Sequence, residues 1–142
     1  MGRFLRGRRG NMGFWALVIA LVFLPMGTLV IDAPRLYVTS IRLQSAVDAA
    51  AEAAARCVDV AWYQDTGETR PDAACAEAEA QRYFTLTAPA SSGVRSTFAG
   101  ITVDESADSV SATGTAEVDV FFLHVPVHMN RTAVTSFRMA QE

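Results

Sequence analysis

The chain has 142 residues, enough for one domain, and 51% of them are hydrophobic. Its twelve cationic residues are all arginines, and with fifteen acidic residues the net charge is −3, so we expect no nucleic-acid partner. The hydrophobic excess is uneven: no charged residue occurs between Met12 and Ile31.

Residues 12–31 have the length and composition of a transmembrane helix. Eleven of these twenty residues are Leu, Ile, Val or Phe. A helix of that length spans about 30 Å, roughly the thickness of the bilayer hydrocarbon. Pro25 should kink this helix mildly. The alternatives are a buried core helix and a cleaved signal peptide, but no Ala-x-Ala cleavage site follows the apolar run.

The distribution of charge predicts the orientation of this helix. Residues 1–11 form a basic tail without acids, and its arginines are Arg3, Arg6, Arg8 and Arg9. All fifteen acidic residues follow the span, against eight arginines. The positive-inside rule therefore places the tail in the cytoplasm and the remainder of the chain outside the membrane.

A helical period continues beyond the span and predicts an extracytoplasmic stalk that reaches about Trp62. Asp32 is a candidate cap for this segment and a candidate partner of Arg35. One face of the stalk carries apolar and small residues, which predict a helix-packing face: Leu43, Val47, Ala50, Ala54 and Ala61. The alternative is that alanine is there only for its high helix propensity.

A second, short helix should follow a turn over 65–71. Thr69 or Asp72 can cap it, and it should extend from Ala73 to about Tyr83. Cys57 and Cys75 are the only cysteines, and both lie on the exported side, which favours a disulfide over two buried thiols. The disulfide would close a loop of seventeen intervening residues, which should add about 3 kcal/mol to the free energy of unfolding.

The C-terminal part reads as a small antiparallel β-sheet. From Val110 to Val120 apolar residues alternate strictly with polar ones, which indicates a half-buried strand. Weaker strands are expected over 98–104 and 132–139, with 123–131 as a connection. The predicted fold class is α+β, with a helical stalk and second helix over 32–88 and a β domain over 89–142.

The sequence contains no recognisable catalytic, cofactor-binding or metal-binding arrangement. His124 and His128 are four residues apart, but Pro126 separates them and no third ligand is evident. The motif at Asn130 matches a glycosylation sequon, a match that is often accidental. We therefore expect no enzyme activity and no cofactor.

Three segments give the chain a family resemblance. The first is Arg-Arg-Gly-Asn at 8–11, before the span, and the second is Asp-Ala-Pro-Arg at 32–35, after it. The third is Arg-Leu-Gln-Ser-Ala-Val-Asp-Ala-Ala at 42–50. Together they resemble TadE/TadG-like proteins of the tight-adherence (Flp) pilus system, and the Val/Thr-rich strands around Phe121-Phe122-Leu123 resemble the usual ending of that family.

The resemblance implies a structural role in pilus assembly, as a pseudopilin-like protein in the bacterial cytoplasmic membrane. Its partners would be membrane lipid, other pilus or pseudopilin subunits and secretion-system proteins. The position five residues after Gly10 holds Trp15, and that after Gly13 holds Val18, where processed prepilins carry Glu. This departure favours the TadG-like side of the family or an unprocessed anchor. The alternatives are a filament subunit or homo-oligomer with the apolar helix buried, and a membrane-anchored sensor or binding module.

Overall fold

The computed structural model describes residues 6–68, 70–104, 107–120 and 125–137. These residues form an α+β structure, as predicted, with a long N-terminal helix, shorter helices and a small antiparallel sheet. The helices are α1 (Arg6–Ala55), α2 (Val60–Thr66) and α3 (Ala73–Thr87), and the strands are β1 (Val94–Asp104), β2 (Ser109–Asp119) and β3 (Pro126–Ser136).

Helix α1 is continuous over 50 residues, about 75 Å at the usual rise. Pro25 and Pro34 both lie inside it, so Asp32 does not begin a new helical segment. The prediction that the helix reaches Trp62 is wrong, because α1 ends at Ala55.

The chain turns away after α1 because its backbone finds partners elsewhere. Asp59 N–H donates to the Arg70 carbonyl at 2.8 Å, and Asp72 N–H donates to the Cys57 carbonyl at 3.1 Å. The Asp59 side chain then caps α2 by accepting from Trp62 N–H at 3.0 Å. Part of the stretch over which the helical period continues belongs to α2, a separate helix.

Helix α3 begins where the sequence predicted. The Asp72 carboxylate accepts from the N–H groups of Ala74 and Cys75, both at 3.1 Å, which satisfies two donors of the first turn. Thr69, the other candidate cap, lies outside the described residues. The helix continues to Thr87, beyond the expected end at Tyr83. It ends just before Pro89, since the residue preceding proline is disfavoured in the α conformation.

The sheet has the order β1-β2-β3, and both pairs of neighbours are antiparallel. Strand β3 begins at Pro126, so the predicted connection over 123–131 is largely wrong. A proline is tolerated as the first residue of an edge strand, where its missing N–H costs no ladder hydrogen bond. Strand β1 likewise begins at Val94, earlier than expected. Residues 121–124 and 138–142 lie outside the described part of the chain.

The core lies where α1 and α3 pack on the inner face of the sheet. That face of β2 carries Val110, Ala112, Gly114, Ala116 and Val118, all buried. A Cβ atom on Gly114 would lie 2.5 Å from Cε2 of Phe84 and 2.9 Å from Cγ2 of Val47. The absence of a side chain there brings the backbone of β2 close to both helices.

The strands contact the C-terminal half of α1. At one end, Arg35 of α1 donates to the carbonyl of Asp119, which pairs with Pro126 at the start of β3. In the middle, Arg131 contacts Ser40. At the other end, Val134–Ser136 line a groove with Asp48 and Glu52. The sheet end that holds Asp119 and Pro126 is therefore the end nearest the apolar span.

Candidate membrane anchor and stalk interface

The apolar part of α1 has no protein partner within the described residues. This is the single helix of the described chain that is long and apolar enough to cross a membrane, and none of its most apolar window is buried. Its large side chains project outward: Phe14 is 61% exposed, Leu17 64% and Leu21 70%. Such a surface is not stable in water, so this segment needs lipid or another apolar partner.

The arginines predicted to orient the helix lie at its N-terminal end. Arg6, Arg8 and Arg9 belong to the first turns of α1, and Arg3 lies outside the described residues. A basic cluster at the start of an apolar helix agrees with the charge asymmetry of the sequence. The orientation itself stays a prediction.

Asp32 and Arg35 lie just after the apolar run, where α1 first meets the β domain. Asp32 is 6% exposed, although it is an acidic residue close to the end of the apolar segment. The Arg35 guanidinium donates to the carbonyls of Ser92 and Asp119, which precede β1 and end β2. These hydrogen bonds attach the end of the sheet nearest the apolar span to α1 at Arg35.

The loop before β1 is shaped to admit Arg35. Gly93 has a φ of +73°, a conformation that glycine adopts without strain. A Cβ atom at this position would lie 3.0 Å from Nη2 of Arg35. The carbonyl of Gly93 also accepts from Asp119 N–H at 2.9 Å, which joins the two loop ends that receive the arginine.

Four of the five residues of the predicted packing face lie in the core. Leu43, Val47, Ala50 and Ala54 are each 0% exposed. The described chain itself covers this face, with α3 and the sheet. Ala61 does not belong to it, because α1 ends before this residue and Ala61 is exposed on α2.

A disulfide links Cys57, just after α1, to Cys75 in the first turn of α3. The two Cα atoms are 5.7 Å apart, and the bond closes a sequence separation of 18 residues. Together with the short bridge between Val58 and Pro71, it ties α3 to the end of α1. Helix α2 lies in the loop that this disulfide closes, and none of its residues is buried.

The described side chains offer little chemistry beyond packing. No group of three or more His, Cys, Asp or Glu side chains that could hold a metal ion occurs among the described residues. His128 lies on the outer face of β3, and His124 falls outside the described residues. The open groove between α1 and α3 is lined by small residues and by Glu52, Arg56, Glu79 and Tyr83. Glu52 and Arg56 pair at 2.8 Å on the exposed surface.

Sequence reasoning did not find the contacts that hold the sheet on α1. Arg131 lies on the inner face of β3 opposite Gly114, and its guanidinium donates to the Ser40 hydroxyl at 2.5 Å. Gly114 itself interrupts an alternating strand, a signal that another part of the protein approaches the backbone closely. The partners of Arg35 had no such signal, because they lie 57 and 84 residues away.

Comparison with known families confirms the resemblance over the first part of the chain. Residues 10–56 match the family model of Flp pilus-assembly, TadE/G-like proteins. No curated protein and no solved structure matches the chain significantly. The matched segment coincides with α1, which ends at Ala55. The match supports a role related to Flp pilus assembly, and with the apolar helix it indicates a membrane-anchored protein.

Proposed function

We propose that this chain is a membrane-anchored, pseudopilin-like assembly component of a tight-adherence pilus. In this proposal residues 12–31 cross the bacterial cytoplasmic membrane once, the arginine-rich N-terminus stays in the cytoplasm, and the rest lies outside. The observation that carries the proposal is that the family match covers one continuous helix whose two halves have different surroundings. Its first half is apolar and uncovered, and its second half is the core of a folded domain.

Contacts between α1 and the sheet support a rigid connection between the span and the rest of the protein. Arg35, Arg131 and the buried face of α1 hold the sheet directly against the helix, without a linker between span and domain. A rigid connection of this kind would present the exported surface to other pilus components at a fixed distance from the membrane. We expect those partners to be pilus or pseudopilin subunits and secretion-system proteins, as the family implies.

A filament subunit is the competing proposal, since the exposed span would also be covered if it packed in the core of a filament. Cell fractionation separates the two. A deletion strain should lose its pili and regain them when the wild-type gene is returned. In complemented cells the protein should remain with the membranes after the pili are sheared off.

The fractionation has two outcomes that would contradict the proposal. Normal pili in the deletion strain would remove the role in assembly. Recovery of most of the protein in the sheared filaments, in a constant ratio to the major subunit, would replace the assembly component with a structural subunit. Glu52→Gln, an exposed and similar-sized substitution, provides a variant that should complement like wild type.

A further inference from the structure

Strand β3 lies at the edge of the sheet, and the register shows which of its backbone groups point outward. Val120 N–H donates to the Val125 carbonyl, and Phe137 N–H donates to the Asp108 carbonyl. Both pairs continue the unbroken register between β2 and β3. In an antiparallel pair, hydrogen-bonded and non-hydrogen-bonded residues alternate. The odd-numbered residues of β3 therefore direct their N–H and C=O groups toward β2, and the even-numbered residues direct theirs away from the sheet.

The outward N–H groups form a regular row along this edge. They belong to five residues with exposed side chains: His128, Asn130, Thr132, Val134 and Ser136. Within the described part of the chain, none of these N–H groups donates to another backbone group. The opposite edge differs, because a bulge between Phe98 and Gly100 interrupts the register of β1. Strand β3 therefore presents the kind of edge to which a further strand can add.

A strand added to β3 would place every second side chain on the face that carries α1. On that face a groove is lined by Asp48 and Glu52 of α1 and by Val134–Ser136. Asp48 accepts from the neutral side chain of Gln44 at 2.9 Å, whereas Glu52 has an arginine partner on its own helix. The groove therefore keeps a net negative charge. A basic side chain opposite Thr135 on the added strand would lie beside it.

Arg131 adds a positive charge to the same face of β3. Its side chain is exposed, and its guanidinium donates to the Ser40 hydroxyl. Side chains directly opposite each other on neighbouring strands interact, and opposite charges stabilise the pairing. In an antiparallel strand, the residue opposite Arg131 comes four places after the residue opposite Thr135. The edge therefore favours a segment with a basic residue and, four residues later, an acidic one.

We propose that the free edge of β3 binds an extended segment of another protein, which joins the sheet as a fourth, antiparallel strand. The segment carries a basic residue beside Asp48 and an acidic residue opposite Arg131. Its backbone supplies the partners of the outward N–H and C=O groups, and its charges fix the register.

A second copy of the chain does not fit this edge. Antiparallel pairing of β3 with its own copy requires a two-fold axis perpendicular to the sheet. Because α1 packs on one face of the sheet, that rotation would reverse its direction and point the two apolar halves of α1 in opposite directions. One membrane cannot hold both. This exclusion rests on the proposed membrane anchoring, whereas the free edge does not.

Amide hydrogen exchange of the full-length protein in detergent micelles tests the proposal. Two synthetic peptides, blocked at both ends, serve as probes. The first, Thr-Lys-Val-Val-Thr-Glu-Thr-Val-Thr, places its Lys opposite Thr135 and its Glu opposite Arg131 in antiparallel register. The second differs only in that Lys and Glu exchange places. Exchange at single N–H groups is followed by NMR, at concentrations at which each peptide alone is monomeric.

The first peptide should slow exchange several-fold at the outward N–H groups of β3 and leave that of α2 unchanged, and the second should bind several-fold more weakly. Unchanged exchange with both peptides would overturn the proposal. Equal affinities of the two peptides would overturn the charge pattern. Slow exchange at these N–H groups without peptide, increasing with protein concentration, would assign the edge to a second copy and contradict the proposal.

A charge reversal at Asp48 provides a matched test of the groove. Asp48→Lys should weaken the first peptide several-fold, and a third peptide with Glu in place of Lys should recover the affinity. Asp65→Asn, at an exposed acid of α2, should change neither affinity. A loss with Asp48→Lys that the third peptide does not recover would contradict the contact with the groove. Neither readout depends on pilus assembly, so this proposal and the proposed function can fail separately.

Discussion

Both halves of α1 carry an apolar surface, but the side chains that form it differ in size. Within residues 12–31 the surface is formed mainly by large apolar side chains, and those of Leu21 and Phe23 are exposed. Residues 43–55 carry mostly alanines on the face that packs in the core, and Ala50 and Ala54 are fully buried. Lipid chains adapt to any side-chain shape, whereas a protein backbone at close range requires small ones. Side-chain size therefore fits the proposed neighbours, which are lipid for residues 12–31 and the protein's own backbone for residues 43–55.

The largest expected difference between lipid and water as neighbours comes from adding a charge. Leu21 and Val134 are both apolar and about 70% exposed. Leu21→Asp should raise the apparent free energy of membrane insertion by about 3–4 kcal/mol, because an acid near the centre of a span is costly. Val134→Asp should lower the free energy of unfolding by only about 1 kcal/mol, because Asp is a poorer strand residue than Val and Asp48 and Glu52 line the same groove.

The measurement is the ratio of inserted to non-inserted chains for Leu21→Asp, with Val134→Asp and wild type beside it. The account of α1 as a helix in lipid requires a reduced ratio for Leu21→Asp alone. Equal ratios in all three proteins would mean that the exposed apolar half does not depend on lipid.

The next effect concerns the disulfide that ties α3 to the end of α1. Replacing both Cys57 and Cys75 with alanine should lower the free energy of unfolding by about 3 kcal/mol, because the unfolded chain regains the freedom of the closed loop. Denaturant unfolding in detergent would measure the change, and the amount of protein in the membrane should not alter. Reducing agent should shift wild type similarly and leave the double variant unchanged. A shift of the double variant by reductant would assign the effect to something other than this bond.

Enlarging a small residue compares the halves of α1 directly. Ala50→Leu should lower the free energy of unfolding by about 1–3 kcal/mol through overpacking, and Ala54→Leu should act in the same way. Ala20→Leu, on the same helix but exposed, should not destabilise the protein. Thermal unfolding in detergent provides the measurement, with Glu52→Gln as a surface control. If Ala50→Leu and Ala20→Leu behave alike, the alanines serve only as helix formers.

A single methyl group provides the smallest test. Gly114→Ala places a Cβ atom against Phe84 and Val47 and should cost about 1–2 kcal/mol, once the gain from a stiffer unfolded chain offsets part of the overpacking. Gly27→Ala has nothing within 4 Å of the new atom and should be neutral or stabilising. Chemical denaturation of both variants would decide this. A stable Gly114→Ala protein would show that α1 and α3 do not depend on close approach of β2.

Much of this arrangement could be predicted from the sequence, because local patterns carry it. The period of apolar residues identified α1, and strict alternation identified β2. The capping residue Asp72 identified the start of α3. In each case the physical cause lies within a few neighbouring residues of the chain.

The errors arose where distant partners decide the structure. The helical period could not show that α1 ends at Ala55. The backbone groups of Cys57 and Asp59 form hydrogen bonds with those of residues 70–72, which are distant in the sequence. Strand β3 was predicted too short. Proline is a poor strand residue except in edge strands, and Pro126 is the first residue of β3, which lies at the edge of the sheet beside β2. The sequence offered Arg35 as a partner of Asp32, and its hydrogen bonds to Ser92 and Asp119 could be found only from the fold.

The central claim is that one continuous helix crosses the membrane and then forms the core of an exported domain. Protease added outside intact spheroplasts tests this claim most directly, with one tag at each end of the chain. We predict that the C-terminal tag is digested, while a membrane-bound fragment keeps the N-terminal tag and the span. A soluble periplasmic product lacking residues 1–35 would contradict the claim, as would digestion of the N-terminal tag in intact spheroplasts.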